Sequence, residues 1–472
     1  MKKTKIICTL GPASNNEQML TAMLRNGMNV ARLNFSHGTH EYHQEQIELV
    51  RRVRDKLKMP VAIMLDTKGP EIRTGDFENG PIQLGKGDTF TLTTRDIPGN
   101  QDIVSITYKD LPRQLSVGSN VLIDDGMLKL EVKELSDTDI ICTVLNNGQV
   151  SNHKGINVPN IHLDMEYLSP QDESDLLFGI EQDVDYIAAS FVRRKEDVIA
   201  MRNFLNYHGG HNIRIISKIE NIEGINNFDE ILQYSDGIMV ARGDMGVEVE
   251  YERLPGLQKQ FIMKCYRAGK VVITATQMLE SMVHNTTPTR AEITDVANAV
   301  FDGTSAIMLS GETAMGDHPD LVVSVMSKIA GQAEEDAFAM DYYQNIEYAN
   351  DADTTNAICD AACTTARDIK ASAVIAVTMS GYTARRLSKF RPSELIIAAT
   401  PDKKTYHQLS MSWGVNPVPA LFQQDANVLF THAIDCAKNY DLVHEGELVV
   451  ITAGNGGCTD VLKVMSVPGL KR

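Results

Sequence analysis

Two apolar runs that end in charge restrict the fold of this 472-residue chain more than any other feature. Arg214-Ile215-Ile216-Ser217-Lys218-Ile219-Glu220-Asn221 closes on a lysine and a carboxylate. One helix later, Gly237-Ile238-Met239-Val240-Ala241-Arg242-Gly243-Asp244 closes on an arginine and an aspartate. A strand buried on both faces is apolar throughout, so charges at the downstream ends of two successive strands need a reason. In a parallel α/β barrel the strand C-termini converge on one mouth, where catalytic side chains sit. Glu220 and Asp244 would then offer hard anionic oxygens to a shared divalent cation, Mg2+ or Mn2+, with Lys218 alongside. The plainer alternative is a pair of salt bridges closing the barrel.

The rest of the chain repeats the pattern. Eight runs read as strands: 5–10, 30–35, 61–66, 186–191, 213–219, 237–241, 271–275 and 306–309. Segments with helical spacing separate most of them, for example 41–58, 195–208 and 255–268. Strand alternating with helix implies a parallel sheet, and eight repeats imply a (β/α)8 TIM barrel over 1–69 and 166–340. Between about 70 and 165 the apolar period changes to two, with turn signals at Asp124-Asp125-Gly126 and Asn146-Asn147-Gly148, which predicts an inserted small β-barrel cap domain. Because the insertion follows the third strand, it grows from the catalytic mouth, where it could close over substrate. Residues 341–354 read as a polar linker, and 355–472 as a C-terminal doubly wound α/β domain with strands near 374–378, 395–400, 448–452 and 461–467.

Charge and cysteine content narrow the function classes. The formal net charge of −17 argues against general affinity for nucleic acid or anionic membrane, so a phosphorylated substrate must be drawn by local cations. No apolar run approaches the roughly 18–20 residues needed to span a bilayer. Seven scattered cysteines without zinc-type spacing predict reduced thiols in a cytoplasmic enzyme.

The strand ends carry Arg32, Asn34 and Ser36; Asp66 and Thr67; Lys218 and Glu220; Asp244; Thr276; and Ser310 with Glu312. Arg32 and Lys218 supply the fixed positive charge that phosphoryl transfer requires. Asn34, Ser36 and Asp66 form a second, weaker oxygen set suited to a monovalent cation. A cysteine or histidine nucleophile with a paired base is missing from this set, which argues against acyl chemistry.

In these residues the chain closely resembles the pyruvate kinases. The resemblance runs through Lys5–Pro12, Ala31-Arg32-Leu33-Asn34-Phe35-Ser36-His37-Gly38, Leu65–Arg73, Ile216–Asn221, Val240–Gly246, Thr274–Leu279 and Met308–Thr313. It includes Asp124-Asp125-Gly126 and Asn152–Asn157 in the cap, and covers essentially the whole chain in the right order. It implies transfer of the phosphoryl group of phosphoenolpyruvate to ADP, giving pyruvate and ATP, with Mg2+ (or Mn2+) and K+ as cofactors. Glu220 and Asp244 would hold the divalent ion, and the Gly243 and Asp244 backbone with Thr276 would receive the substrate carboxylate. Arg32 and Lys218 would neutralise the phosphoryl group, and Asn34, Ser36, Asp66 and the Thr67 carbonyl would hold K+. Asn34, His37, Arg73 and Lys154 would meet the nucleotide. Proton delivery would fall near Thr276, through water, Ser310 and Glu312.

The resemblance further implies a homotetramer and a phosphorylated small-molecule effector bound at Thr378, Ser380, Gly381, Tyr382 and Thr383. The loop 454–460 matches the family only loosely, which leaves the effector's identity open. An extra N-terminal domain and an appended phosphotransfer-like domain, seen in longer members, are expected to be absent. A Mg2+-dependent aldolase or lyase acting on pyruvate would explain Glu220, Asp244 and Arg32, but not the cap with Arg73 and Lys154. A phosphometabolite sensor would predict decay at the strand ends, and none of the matched positions is decayed.

Overall fold

The computed structural model describes residues 1–343, 353–454 and 458–469. Most of the expected linker, 341–354, and the centre of the loop 454–460 lie outside the described residues.

Eight parallel strands close into a barrel: Lys5–Thr9, Val30–Asn34, Ala62–Asp66, Tyr186–Ala189, Arg214–Ile219, Gly237–Ala241, Val271–Ala275 and Ala306–Leu309. Each pairs with its neighbour in sequence, and the last pairs with the first. Side chains alternate along a strand with period two. Ile6, Cys8, Ala31, Leu33, Ile63 and Leu65 therefore face the helices, while Ile7, Val30, Met64, Ala188, Ile216 and Met239 fill the lumen. The same parity, continued toward the strand C-termini, puts Arg32, Asn34, Asp66, Ser190, Lys218 and Glu220 above that packed lumen. The barrel's own periodicity thus gathers the site.

The cap is a seven-stranded, mainly antiparallel sheet running from Ile72–Arg73 to Ile103–Ser105, with its own core around Phe90, Val121, Leu130 and Ile140. An antiparallel bridge between Thr74 and Ile106 brings its two ends together. The turn expected at Asp124-Asp125-Gly126 separates two strands, Asn120–Ile123 and Leu128–Leu135. The break falls at Asp124 and Asp125, whose φ of 54° and 52° form the turn. A small two-stranded sheet, Ile82–Leu84 with Gly148–Val150, completes the insertion.

Beyond the barrel lies a five-stranded sheet in the order Val415–Pro419, Leu395–Thr400, Ala373–Val377, Leu448–Ala453, Val461–Ser466. Its last strand is antiparallel to its neighbour and the others are parallel. Helices cover both faces, each over its own apolar cluster. Val415–Pro419 went unread in the sequence because Pro417 and Pro419 remove two ladder donors; it is an edge strand, where proline is tolerated. This domain plugs the N-terminal end of the barrel. Met411 packs into the lumen cluster, the Tyr186 hydroxyl donates to Gln408 O at 2.7 Å, and Lys5 Nζ donates to Val415 O at 2.7 Å.

Among the described residues all seven cysteines are free thiols, and only Cys458 is exposed. No helix among the described residues is long and apolar enough to cross a membrane.

Candidate active site at the mouth of the barrel

The strand registers assemble the cations. Asn34 and Asp66 are direct partners on the second and third strands, and Asp66 faces Ala188 on the fourth. Asp66 is buried, and both of its oxygens are taken: Arg32 Nε donates to Oδ2 at 2.6 Å and Lys218 Nζ to Oδ1 at 3.0 Å. Burial alone would raise its pKa, but the two cations outweigh burial and hold it below the ordinary aspartate value. Lys218 shows the converse. Burial pulls its pKa down, and the carboxylates of Asp66 and Glu220 more than restore it, so the ammonium stays charged. Arg32 also donates to the Thr9 hydroxyl at 2.8 Å. Two cations held around one carboxylate form a rigid positive floor.

Glu220, 1% exposed, accepts from the Phe191 amide at 2.6 Å and lies 3.1 Å from Lys218 Nζ. Its pKa is pushed up to about 8, first by burial and then by the neighbouring charge of Asp244, against the pull of Lys218. A buried carboxylate that shares its one cation, Lys218, with Asp66 and feels the charge of a second carboxylate, Asp244, is in a condition that a divalent cation relieves. Among the described residues no group of three or more His, Cys, Asp or Glu side chains could hold a metal.

The monovalent set is more heavily occupied. The Thr67 carbonyl accepts from the Ser190 hydroxyl at 2.6 Å, and Asn34 Oδ1 accepts from the Ser36 amide at 3.2 Å. These oxygens retain lone pairs for a weakly held cation, but Asp66 adds no uncommitted charge.

Thr276 and Gln277 follow the seventh strand with φ of 68° and 54°, a left-handed excursion unusual for residues with side chains. Arg242 pins this turn. It donates to the carbonyls of Ala275 and Thr276 and to both oxygens of Asp295, at 2.8 and 2.7 Å. Arg242 is thus a strut, in agreement with the salt-bridge alternative at this one position. The Thr276 hydroxyl accepts from the Gly243 amide at 2.9 Å and donates to Ala275 O at 2.7 Å. Thr276 and Gly243 therefore meet as expected, although Gly243 N–H is turned onto the threonine. Glu312 accepts from the amides of Ser310 and Leu279 at 2.7 and 3.2 Å, and burial raises its pKa. The Ser310 hydroxyl is buried without a protein hydrogen-bond partner and makes no direct bond to Thr276.

Between cap and barrel opens a cleft of about 670 Å³, lined by Glu71, Arg73, Asp124, Lys154, Asn221 and Asp244 among others. Arg73 is paired with Glu71 at 2.6 Å and Lys154 with Asp124 at 2.9 Å. Arg32, Lys218 and Thr276 do not line this cleft, and neither do His37 and Asn34; His37 is exposed.

The expected effector loop forms a turn before the helix Tyr382–Lys389, whose N-cap Gly381 has φ 76°. Thr378 Oγ1 accepts from the Gly381 amide at 3.0 Å, and the Thr383 hydroxyl bonds the Thr459 hydroxyl at 2.7 Å, both buried. Of the serine and threonine hydroxyls in this loop, those of Thr378 and Thr383 are buried and Ser380 is exposed.

Ser190 and the Phe191 amide escaped the sequence reading. The fourth strand ends at Ala189, and Phe191 turns away with φ 52°, so the apolar Phe191 masked a polar strand end. Ser190 shares the parity of Ala188, whose side chain packs in the lumen, and so belongs with the other polar strand ends.

A parallel barrel whose mouth combines buried cations with a carboxylate pair, under a β cap, defines a TIM-barrel enzyme for an anionic substrate. Residues 1–325 match the family model "Pyruvate kinase, barrel domain", and residues 356–465 match "Pyruvate kinase, alpha/beta domain". The chain is 48% identical to a pyruvate kinase of Clostridium acetobutylicum, over 99% of this chain and 100% of that one. It is 46% identical to a pyruvate kinase of Staphylococcus haemolyticus, over 98% of this chain and 80% of the longer relative. A solved pyruvate kinase structure from Cryptosporidium parvum superposes with a TM-score of 0.92 at 41% identity, covering 99% and 96% of the two chains. The chain belongs to the pyruvate kinase family.

Proposed function

We propose that this chain transfers the phosphoryl group of phosphoenolpyruvate to ADP at the barrel mouth, yielding pyruvate and ATP. The observation that carries the reading is the buried Arg32–Asp66–Lys218 lattice beside the Glu220–Asp244 pair. Fixed cations in a dry site stabilise the charge spread over a phosphoryl group in flight. Arg32 and Lys218 would contact that group, Lys218 would next stabilise the enolate, and the Thr276 region with Ser310 and Glu312 would deliver the proton. A divalent cation, Mg2+ or Mn2+, would be held by Glu220 and Asp244 and supply Lewis-acid stabilisation to substrate oxygens. Asn34, Ser36, Asp66 and the Thr67 carbonyl would hold K+. Arg73 and Lys154, whose pairing with Glu71 and Asp124 keeps them at the cleft wall, would meet the nucleotide phosphates with His37 and Asn34.

The division into barrel (1–69, 166–340), cap (70–165) and C-terminal domain (355–472) belongs to the same reading. So do a cytoplasmic homotetramer and an effector bound by the exposed part of 378–383. The test is a coupled assay for pyruvate from phosphoenolpyruvate and ADP, on the parent and on Lys218→Met. The parent should turn over, and the variant should lose steady-state turnover and keep only a slow residual rate measurable in single-turnover assays, with an unchanged circular-dichroism spectrum. An unfolded Lys218→Met would return the cluster to a salt-bridge role, and full activity would remove Lys218 from the chemistry.

A further inference from the structure

Lys218 has three ammonium N–H groups and three acceptors: Ser190 Oγ at 2.7 Å, Asp66 Oδ1 at 3.0 Å and Glu220 Oε1 at 3.1 Å. Two of these are carboxylates. The shortest contact is to the neutral hydroxyl. Ser190 is 1% exposed and has a single hydrogen to give, with the Thr67 carbonyl at 2.6 Å and Asp66 Oδ1 at 3.3 Å within reach. The carbonyl is the nearer acceptor, so Ser190 donates to Thr67 and presents a lone pair to Lys218.

We infer that Ser190 is a positioning residue for the phosphoryl transfer: together with Asp66 it anchors two N–H groups of Lys218 so that the third points into the mouth. The inference rests on the role proposed for Lys218. Two short anchors, Ser190 and Asp66, hold the ammonium nitrogen in place and so fix where the remaining N–H points, whereas without Ser190 the lysine can swing on its flexible stem toward Glu220. Asp66 cannot leave, because Arg32 holds its other oxygen at 2.6 Å, and Ser190 is held by Thr67. Glu220 is the most distant of the three and lies one turn of the pleat nearer the mouth, so it is the acceptor that a substrate oxygen can replace. Ser190 is itself rigidly placed. Its amide donates to Thr67 Oγ1 at 3.2 Å, and the next amide, of Phe191, donates to Glu220 Oε2 at 2.6 Å. One turn at the end of the fourth strand therefore orients both the lysine and the carboxylate. Orientation matters because a misaimed cation still attracts the bound anion but stabilises the transition state less.

Ser190→Ala removes the anchor, and Ser190→Cys keeps a side chain of similar shape with a much poorer acceptor. Both should lower kcat by roughly ten- to a hundredfold, the range for losing a hydrogen bond to a charged group, with thermal midpoints close to the parent. The phosphoenolpyruvate concentration for half-maximal rate should change less than about threefold, because ground-state attraction survives. In single-turnover assays on a Lys218→Met background, Ser190→Ala should cost less than about threefold, since it acts through the lysine. The inference falls if Ser190→Cys restores parental kcat, if Ser190→Ala leaves kcat within threefold, or if the two substitutions are additive. It also falls if both Ser190 variants fail to fold, which would make the residue structural. A fully active Lys218→Met with slow Ser190 variants would instead overturn the role of Lys218, and the two failures are distinguishable.

Discussion

Replacing Glu220 by glutamine should move stability and activity in opposite directions. The carboxylate is buried, and its pKa rises from an ordinary 4.5 to about 8, led by desolvation. A carboxyl whose folded pKa is raised contributes stability that is fully present below pH 4.5 and is lost as pH climbs toward 8. In the absence of a divalent cation the loss at pH 7 is at most about 3 kcal/mol, taking about 1.4 kcal/mol per pH unit over the interval. Glutamine does not titrate and can still accept from the Phe191 amide. Glu220→Gln in chelator should therefore be as stable as the parent or more so at pH 7, with the difference vanishing near pH 4. Turnover should fall at least about a hundredfold, or about 3 kcal/mol of barrier, because one of two charged ligands for the divalent ion is gone. Urea unfolding in chelator at pH 4.5 and 7, together with the coupled pyruvate assay across a Mg2+ titration, measures both. Near-normal turnover at ordinary Mg2+ would refute the assignment of Glu220, and a variant less stable at pH 7 than the parent would refute the electrostatic argument.

Three further outcomes are expected. Glu71 is committed to Arg73 at 2.6 Å and carries no positive charge to the phosphoryl site, so K+ should activate strongly over Na+ or a bulky organic cation; equal rates at matched ionic strength would refute this. Ser380→Asp puts a negative charge on the exposed part of the effector loop while leaving the buried Thr383–Thr459 bond intact, and should abolish activation by a sugar phosphate or nucleoside monophosphate with little change in maximal rate; unaltered activation would place the effector elsewhere. Arg242→Lys cannot reproduce the two-oxygen contact with Asp295 while also holding the turn at Thr276, so kcat should drop by about tenfold with modest loss of stability; parental kcat would show that the left-handed turn holds without it.

Periodicity along single strands was enough to read the barrel. Val30 to Asn34 and Arg214 to Ile219 each alternate between lumen and helix faces, and a polar residue at the downstream end of such a run has nowhere to go but the mouth. The change from a helical period to period two at about residue 70 likewise exposed the cap. Strand edges were less legible, because Pro417 and Pro419 hide a strand whose partners lie elsewhere in the chain. What a side chain does once it reaches the mouth depended on neighbours tens to hundreds of residues away. The sequence marks Arg32 and Lys218 alike as phosphoryl cations, but only the fold brings them to opposite oxygens of one buried Asp66. Arg242 sits at a strand end like the others, and tertiary contacts with Asp295 and the Thr276 turn make it a strut. Ser190 is silent in the sequence because a serine beside a phenylalanine has no pattern of its own. It acquires a direction only from Thr67 and Lys218 on the strands to either side. Local sequence determined which residues reach the mouth, since period and polarity are properties of the strand itself. The tertiary structure decided which of them pair, because a hydrogen bond across the barrel depends on register and burial that no single strand contains.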